Sequence, residues 1–345
     1  MSRTAAQAAA IGGVAGGEAS DGLGESPERG DDGRRGLERL RSGGKPALAR
    51  ALTAIETRAG EAGLVALLDA AAAAPGGHVI GLTGPPGVGK STLTAALVRR
   101  FRADGESVGI VAVDPSSRLT GGALLGDRTR LRTDPADDGV FVRSMAARDR
   151  LGGLSDHAVA AIALMRAVRD RVIVETVGVG QSEGDVAAVA DTVVLLIQPG
   201  SGDSLQFMKA GVMELPDVVA VTKADMGAAA RRARADVEGA LSLAHRPDVA
   251  WTAPVVLVSA TSGEGMEPLG AAIDGHRAAL ADAGGAQRAR QPRQWVAEAV
   301  RARFGTAGLA AVDLDGVLAG ARGPFAAIEA ITSDLAARLA APERG

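Results

Sequence analysis

Four lysines stand in this chain against thirty-four arginines, and three of the four fall in segments able to bind a nucleotide. Lys90 lies in Gly84-Pro85-Pro86-Gly87-Val88-Gly89-Lys90-Ser91-Thr92, a complete G-x-x-x-x-G-K-[ST] pattern. Lys223 lies in Thr222-Lys223-Ala224-Asp225, and Lys209 follows the turn Pro199-Gly200-Ser201-Gly202-Asp203. A compact ammonium on a flexible stem reaches points that a planar guanidinium fork does not. Lysine kept at these places, in a chain that otherwise uses arginine, points to phosphate and base contacts.

In the first motif the glycines let backbone N–H groups converge on phosphate oxygens at a helix start, where the dipole favours anions. Lys90 is expected to reach the β- and γ-phosphates, and the Ser91 hydroxyl to ligate Mg2+. Asp114 ends the apolar run Val111-Ala112-Val113, and Asp127 follows the turn Thr120-Gly121-Gly122. Both carboxylates suit Mg2+ and its waters, with a turn before Pro115 and a helix cap as their ordinary alternatives.

Val172-Ile173-Val174-Glu175-Thr176-Val177-Gly178 reads as a buried strand that ends in an acid, with a glycine three residues on. Glu175 is placed to hold Mg2+ through water, and the Gly178 N–H to sense the γ-phosphate. Loss of that contact on hydrolysis would release residues 179–184. Val179 stands where many GTPases carry the glutamine that orients water. Slow intrinsic hydrolysis is therefore expected, with Gln181, Lys209 or a partner supplying the missing group.

Asp225 can accept hydrogen bonds from guanine N1–H and the N2 amine, while the Lys223 stem covers the base. Adenine would leave that acid unpaired, so the motif selects guanine. Thr222 takes the place of the usual asparagine. Ser259 and Ala260, after the last apolar run, fit the short loop whose backbone amide reads guanine O6.

Strand and helix patterns must carry these loops. Apolar strand candidates are Val79–Thr83, Val108–Val113, Val140–Arg143, Val172–Glu175, Thr192–Ile197, Val218–Val221 and Val255–Val258. Helical spacing recurs over Ser91–Arg102, Asp156–Val168, Ala228–Leu243 and Met266–Ala281. Such alternation predicts an α/β fold of the P-loop NTPase type, with a mostly parallel central sheet flanked by helices and its functional loops at the carboxyl ends of the strands. Residues 1–34, rich in Gly, Ala, Ser, Asp and Glu, read as a disordered tail. Residues 35–75 read as a helical lead-in, 76–282 as the nucleotide domain, and 283–345 as a helical extension. Within that extension, Ala283–Pro292 reads as polar and flexible, before helical stretches at Trp295–Phe304 and Phe325–Leu339.

Composition removes several classes. A net charge of −3 and 2% aromatic residues give no basic, stacking surface for nucleic acid. The absence of cysteine excludes disulfides and thiolate metal sites. His78, His157, His245 and His276 are scattered and read as packing or surface residues. No run of about 18 apolar residues occurs and no signal-peptide pattern opens the chain, so no membrane role and a cytoplasmic location are expected.

The ordered series GPPGVGKST, AVDPSS, TGGALLGDRTR, LGGL, ETVGVGQSE, PGSGDSLQFMKAG and TKAD resembles the MeaB/ArgK-type GTPases, from about residue 37 to residue 281. These are relatives of the metallochaperone GTPases and act as chaperones of adenosylcobalamin-dependent acyl-CoA mutases. The resemblance implies GTP/GDP and Mg2+ as ligands, with Asp114, Asp127 and Glu175 in the magnesium and γ-phosphate site. It also implies a third switch loop carrying Asp203, Gln206 and Lys209, a homodimer built through the C-terminal helices, and a client mutase, foremost methylmalonyl-CoA mutase. In that family the nucleotide gates cofactor loading and protects the mutase from inactivation. A nickel or zinc metallochaperone GTPase, a nucleotide-dependent protein kinase and a binding module without turnover are the competing readings. The first of these lacks the Cys and His cluster that it needs.

Overall fold

The computed structural model describes residues 27–74, 76–114, 134, 136–146, 154–176, 182–200, 212–243 and 251–340. Seven strands form one sheet: β1 (His78–Thr83), β2 (Val108–Asp114), β3 (Val140–Ala146), β4 (Arg171–Glu175), β5 (Thr192–Ile197), β6 (Val218–Val221) and β7 (Val255–Leu257). Their order is β3-β2-β4-β1-β5-β6-β7, and every pairing is parallel. The chain runs outward from β1 in both directions. That puts the crevice beside β1, where the direction of winding reverses and doubly wound sheets bind their ligands.

Alternating residues on the central strands supply two cores. Ile80, Leu82, Ile110, Ile173 and Leu196 meet α4 (Lys90–Ala103) and α8 (Met266–Asp282) on one face. Val79, Val111, Val172, Val174 and Val193 meet α5 (Asp156–Val168) on the other. Helix α5 is buried almost all round, with Ala160, Ile162, Leu164 and Met165 enclosed. A helix that is apolar on every side needs cover on both faces. Here the sheet lies beneath it, and a second helical layer lies above: α2 (Gly44–Thr57) and α3 (Ala62–Ala73) from the N-terminal side, α9 (Ala286–Ala310) and α11 (Pro324–Ala340) from the C-terminal side. The remaining α-helices among the described residues are α6 (Ser182–Ala187), α7 (Ala228–Leu243), packed through Val237 on β5, β6 and β7, and α10 (Leu314–Gly320).

Two expectations at the ends of the chain need correction. Helix α1 (Pro27–Ser42) begins inside the segment read as a disordered tail. Proline opens a helix where its missing N–H has no partner to lose. A Cβ on Gly33 would collide with the Ala66 carbonyl of α3, and one on Gly36 would touch Leu67. These glycines allow close helix contact, and Leu37 and Leu40 are buried beside them. Residues 1–26 lie outside the described part. The stretch Ala283–Pro292, read as flexible, is helical from Ala286 and docked. Gln291 is 1% exposed and donates to the Ala190 carbonyl, while Arg288 grips both Asp191 oxygens at 2.7 Å. Helix α9 breaks at Gly305, whose φ is 69°. Helix α11 is tied to α3 by Asp69, whose carboxylate accepts the Phe325 and Ala326 N–H groups at 2.9 and 3.2 Å.

At the amino ends of β1 and β5, Thr192 Oγ1 bridges His78 Nε2 and His276 Nδ1, each at 2.8 Å. Both histidines are buried packing residues, as expected from their scatter. Burial pushes His78 down to about 3, helped by Arg171, Arg277 and Arg288 and only partly opposed by Asp191. Unfolded, this imidazole takes a proton below about pH 6.5, whereas the folded one stays neutral until about pH 3. Stability is therefore lost as pH falls through that window. His78→Gln is expected to flatten the fall in urea midpoint between pH 6.5 and pH 4. Parallel slopes for parent and variant would remove His78 as the cause.

Candidate functional site

The loop after β1 carries the phosphate-binding pattern into α4. Gly84 has φ 141°, and a side chain there would strike the Leu196 carbonyl of β5; Gly89, at φ 103°, precedes the first helical residue. Only glycine takes such angles without strain. Val88 is fully buried and anchors the loop in the core, leaving Pro86 and Gly87 exposed at its tip and Thr92 exposed on the first turn of α4. Lys90 is buried, and its Nζ donates to the carbonyls of Gly84 at 2.7 Å and Pro85 at 3.1 Å. The ammonium thus sits across the loop that the backbone N–H groups line.

Beside it, strand β4 delivers Glu175, 5% exposed and in register with Leu82 of β1 and Ala112 of β2. The Ser91 hydroxyl donates to Glu175 Oε1 at 2.6 Å, and Thr94 Oγ1 lies 3.1 Å from Oε2. Residues 84 positions apart thereby form one cluster of hard oxygen donors at the start of α4. Strand pairing places Asp114 two residues beyond Ala112, at the same end of the sheet. Its side chain, together with Asp127, Gly178, Val179, Gln181, Asp203, Gln206 and Lys209, lies outside the described residues. Thr83 and Thr176, adjoining the loop and Glu175 in sequence, bury hydroxyls that find no hydrogen-bond partner among the described residues.

The loops after β6 and β7 are joined to the phosphate loop. Thr222 is buried, and its hydroxyl lies 2.9 Å from the Val88 carbonyl and 3.2 Å from that of Ile197. Lys223 is the non-glycine residue with positive φ, 56°, among the described residues, and its Nζ donates to Gln198 Oε1 at 2.6 Å. The Ala224 N–H donates to Val258 O at 3.0 Å, which fixes the 3-10 turn Ala224–Met226 against the end of β7. Asp225 is exposed in that turn. Ser259 is buried, and its Oγ contacts Thr261 Oγ1 at 3.1 Å, with Ala260 half-buried between them. Lys90, Ser91, Thr222, Lys223, Asp225, Ser259 and Ala260 therefore occupy contiguous loops at the carboxyl end of the sheet. Sequence reasoning missed Thr94 and Gln198. Thr94 falls one helical turn after Lys90, a signal that was available; Gln198 carries no motif.

Residues 48–311 match the family model described as methylmalonyl Co-A mutase-associated GTPase MeaB. The chain belongs to the MeaB family. A relative from Pyrococcus horikoshii that carries a GTPase name is 41% identical to this chain over 265 residues, covering 74% of this chain and 81% of its own length. The methylmalonic aciduria type A homolog of Mus musculus, a mitochondrial protein, is 41% identical over 190 residues, 54% of this chain and 46% of that one. The crystal structure of a LAO/AO transport system kinase superposes with a TM-score of 0.65 at 29% identity, covering 84% of this chain and 90% of that one. MeaB membership makes this a P-loop protein of a GTPase family that binds guanine nucleotide. No helix among the described residues is long and apolar enough to cross a membrane.

Proposed function

We propose that the protein is a Mg2+-dependent GTP hydrolase that serves as chaperone to an adenosylcobalamin-dependent acyl-CoA mutase, with methylmalonyl-CoA mutase as the foremost client. One observation carries the hydrolase half of this reading: Ser91 and Glu175, distant in sequence, touch at 2.6 Å beside Lys90 in the phosphate loop. The client half rests on the family description and the mouse relative.

The donor set fits a hard divalent cation, because a hydroxyl and a buried carboxylate lie side by side. Ser91 and Glu175 would hold Mg2+, joined by Asp114 and Asp127. When bound, the ion offsets charge on the β- and γ-phosphate oxygens. The chain's own work is positioning. Backbone N–H groups of residues 84–92 hold the phosphates, and Lys90 turns from two carbonyls toward the γ-phosphate. Thr94 keeps the Glu175 carboxylate aligned through its second oxygen. Lys223, Asp225, Ser259 and Ala260 hold the base, while Thr222 sets the distance between base loop and phosphate loop.

Gly178 reads the γ-phosphate in this proposal. Gln181 and Lys209 act on water and charge, with Asp203 and Gln206 in the loop that relays the client. Val179 offers no polar group for water, so basal turnover is slow and the client completes the site. Dimerisation through α9, α10 and α11 and gating of cofactor transfer belong to the same reading.

The test is GTP turnover at fixed Mg2+, with and without a purified adenosylcobalamin-dependent acyl-CoA mutase from the same organism. A slow basal rate that rises severalfold with the mutase is the expected result. The name of the LAO/AO kinase structure favours a second reading, transfer of the γ-phosphate to a protein. Label from the γ-phosphate appearing on protein instead of in free phosphate would favour that reading and remove the chaperone one.

A further inference from the structure

At the end of the sheet opposite the phosphate loop, a cleft of about 430 Å3 opens between the Gly76-Gly77 entry to β1 and the turn that leads into β4. Arg41, Arg166, Arg169 and Arg277 line it, with Asp170 as the one acid in the lining. The counter-charges are short. Asp170 accepts from Ser107 N at 2.8 Å and Ser107 Oγ at 2.7 Å, neutral donors that leave its charge in place, and it offsets part of the charge of Arg169. Arg277 has Glu106 at 3.7 Å. Arg41 donates to the Ala167 carbonyl, and Arg166 to Gln291 Oε1 and the Ala72 carbonyl, all neutral acceptors.

Arg166 is 5% exposed, and its Nε, like the Nε of half-buried Arg169, is buried without a hydrogen-bond partner among the described residues. Burial lowers the proton affinity of both guanidinium groups from the ordinary arginine value; at Arg166 the like charge of Arg288 adds and Asp191 opposes, and at Arg169 Asp170, Asp138 and Asp137 oppose while Arg102 adds. Arginine nonetheless remains charged. Those carboxylates act through charge alone, and the two buried Nε groups still lack an acceptor, a cost that an entering anion would remove.

We infer that this cleft is a second anion site, which takes the phosphate of a small phosphorylated molecule between Arg41, Arg166, Arg169 and Arg277. Guanidinium forks match phosphate oxygens in pairs. Because Arg166 and Arg169 are recessed while Arg41 and Arg277 stand at the exposed rim, a ligand must enter the cleft to reach the deeper pair. The volume suits a small molecule, and an acidic surface of a folded partner would meet only the rim.

The full chain, saturated with GDP and Mg2+ so that the phosphate loop is already filled, would be titrated with pyrophosphate by calorimetry. One saturable site is expected, with binding roughly 10- to 100-fold weaker in Arg41→Gln/Arg169→Gln and GDP affinity unchanged. Arg41→Gln alone, at an exposed position, serves if the double variant fails to fold. Arg169→Lys, which keeps the charge, should recover part of the loss. No saturable uptake by the parent, the outcome that an acidic partner surface would give, overturns the inference. Equal uptake by parent and charge-removing variants overturns it as well.

Discussion

Lys90→Ala is expected to lower GTP affinity by about 1,000-fold. The ammonium is buried at the start of α4 and held against the carbonyls of Gly84 and Pro85, so it is already gathered over the loop proposed to receive the phosphates. Each charge-assisted hydrogen bond it makes to a phosphate oxygen contributes about 1.5–3 kcal/mol, and two such bonds give roughly 100- to 10,000-fold. Lys90→Arg should not restore binding, although arginine is this chain's habitual cation. The loop is closed by Gly84, which sits against the Leu196 carbonyl, and by buried Val88. A planar, forked guanidinium does not reproduce the compact point charge that folds back to these two backbone carbonyls. Fluorescent GTP titration of parent and both variants measures this. Affinity within threefold of the parent in Lys90→Ala would remove the loop from nucleotide binding.

The alternating sheet was legible because its strands are short apolar runs bounded by turns, and parallel strands buried on both faces leave that signature. Six of the loops that matter follow from it, since a motif after a strand of such a sheet must lie at the carboxyl edge. The contact between Ser91 and Glu175 follows from β4 lying beside β1, a neighbourhood that spacing along the chain does not reveal. Polar and glycine-rich segments misled. Gly33 and Gly36 look like disorder, yet they permit α1 to lie on α3. Gln287, Arg288 and Gln291 look like a solvated linker, yet they satisfy the backbone and the carboxylate at residues 190 and 191. Composition reports a residue's average habit, whereas these residues are fixed by partners about 30 to 100 positions away. Thr222 shows the same limit. Read as a departure from asparagine, it is placed to clip Val88 to the end of β5.

Asp225→Asn is expected to exchange guanine for xanthine. In the proposed site the carboxylate would offer two acceptors to guanine N1–H and its N2 amine. An asparagine amide keeps one acceptor and turns a donor toward the amine, which leaves both donors unpaired. Xanthine carries a carbonyl at that position and accepts from the amide. A site built to hydrogen-bond a ligand rejects the analogue lacking the match by large factors, so GDP affinity should fall about 1,000-fold and XDP affinity rise above it. The fold should be untouched, because Asp225 is exposed and the turn around it is held by Ala224 N–H to Val258 O and by Thr222 to Val88. Thermal midpoints of the nucleotide-free parent and variant should therefore coincide. Calorimetric titration with GDP, XDP and ADP decides the matter. Retained GDP affinity in Asp225→Asn would place base selection elsewhere, with the amide at Ala260 the next group to test. A collapse of affinity for all three bases alike would show that the residue shapes the loop without reading the base.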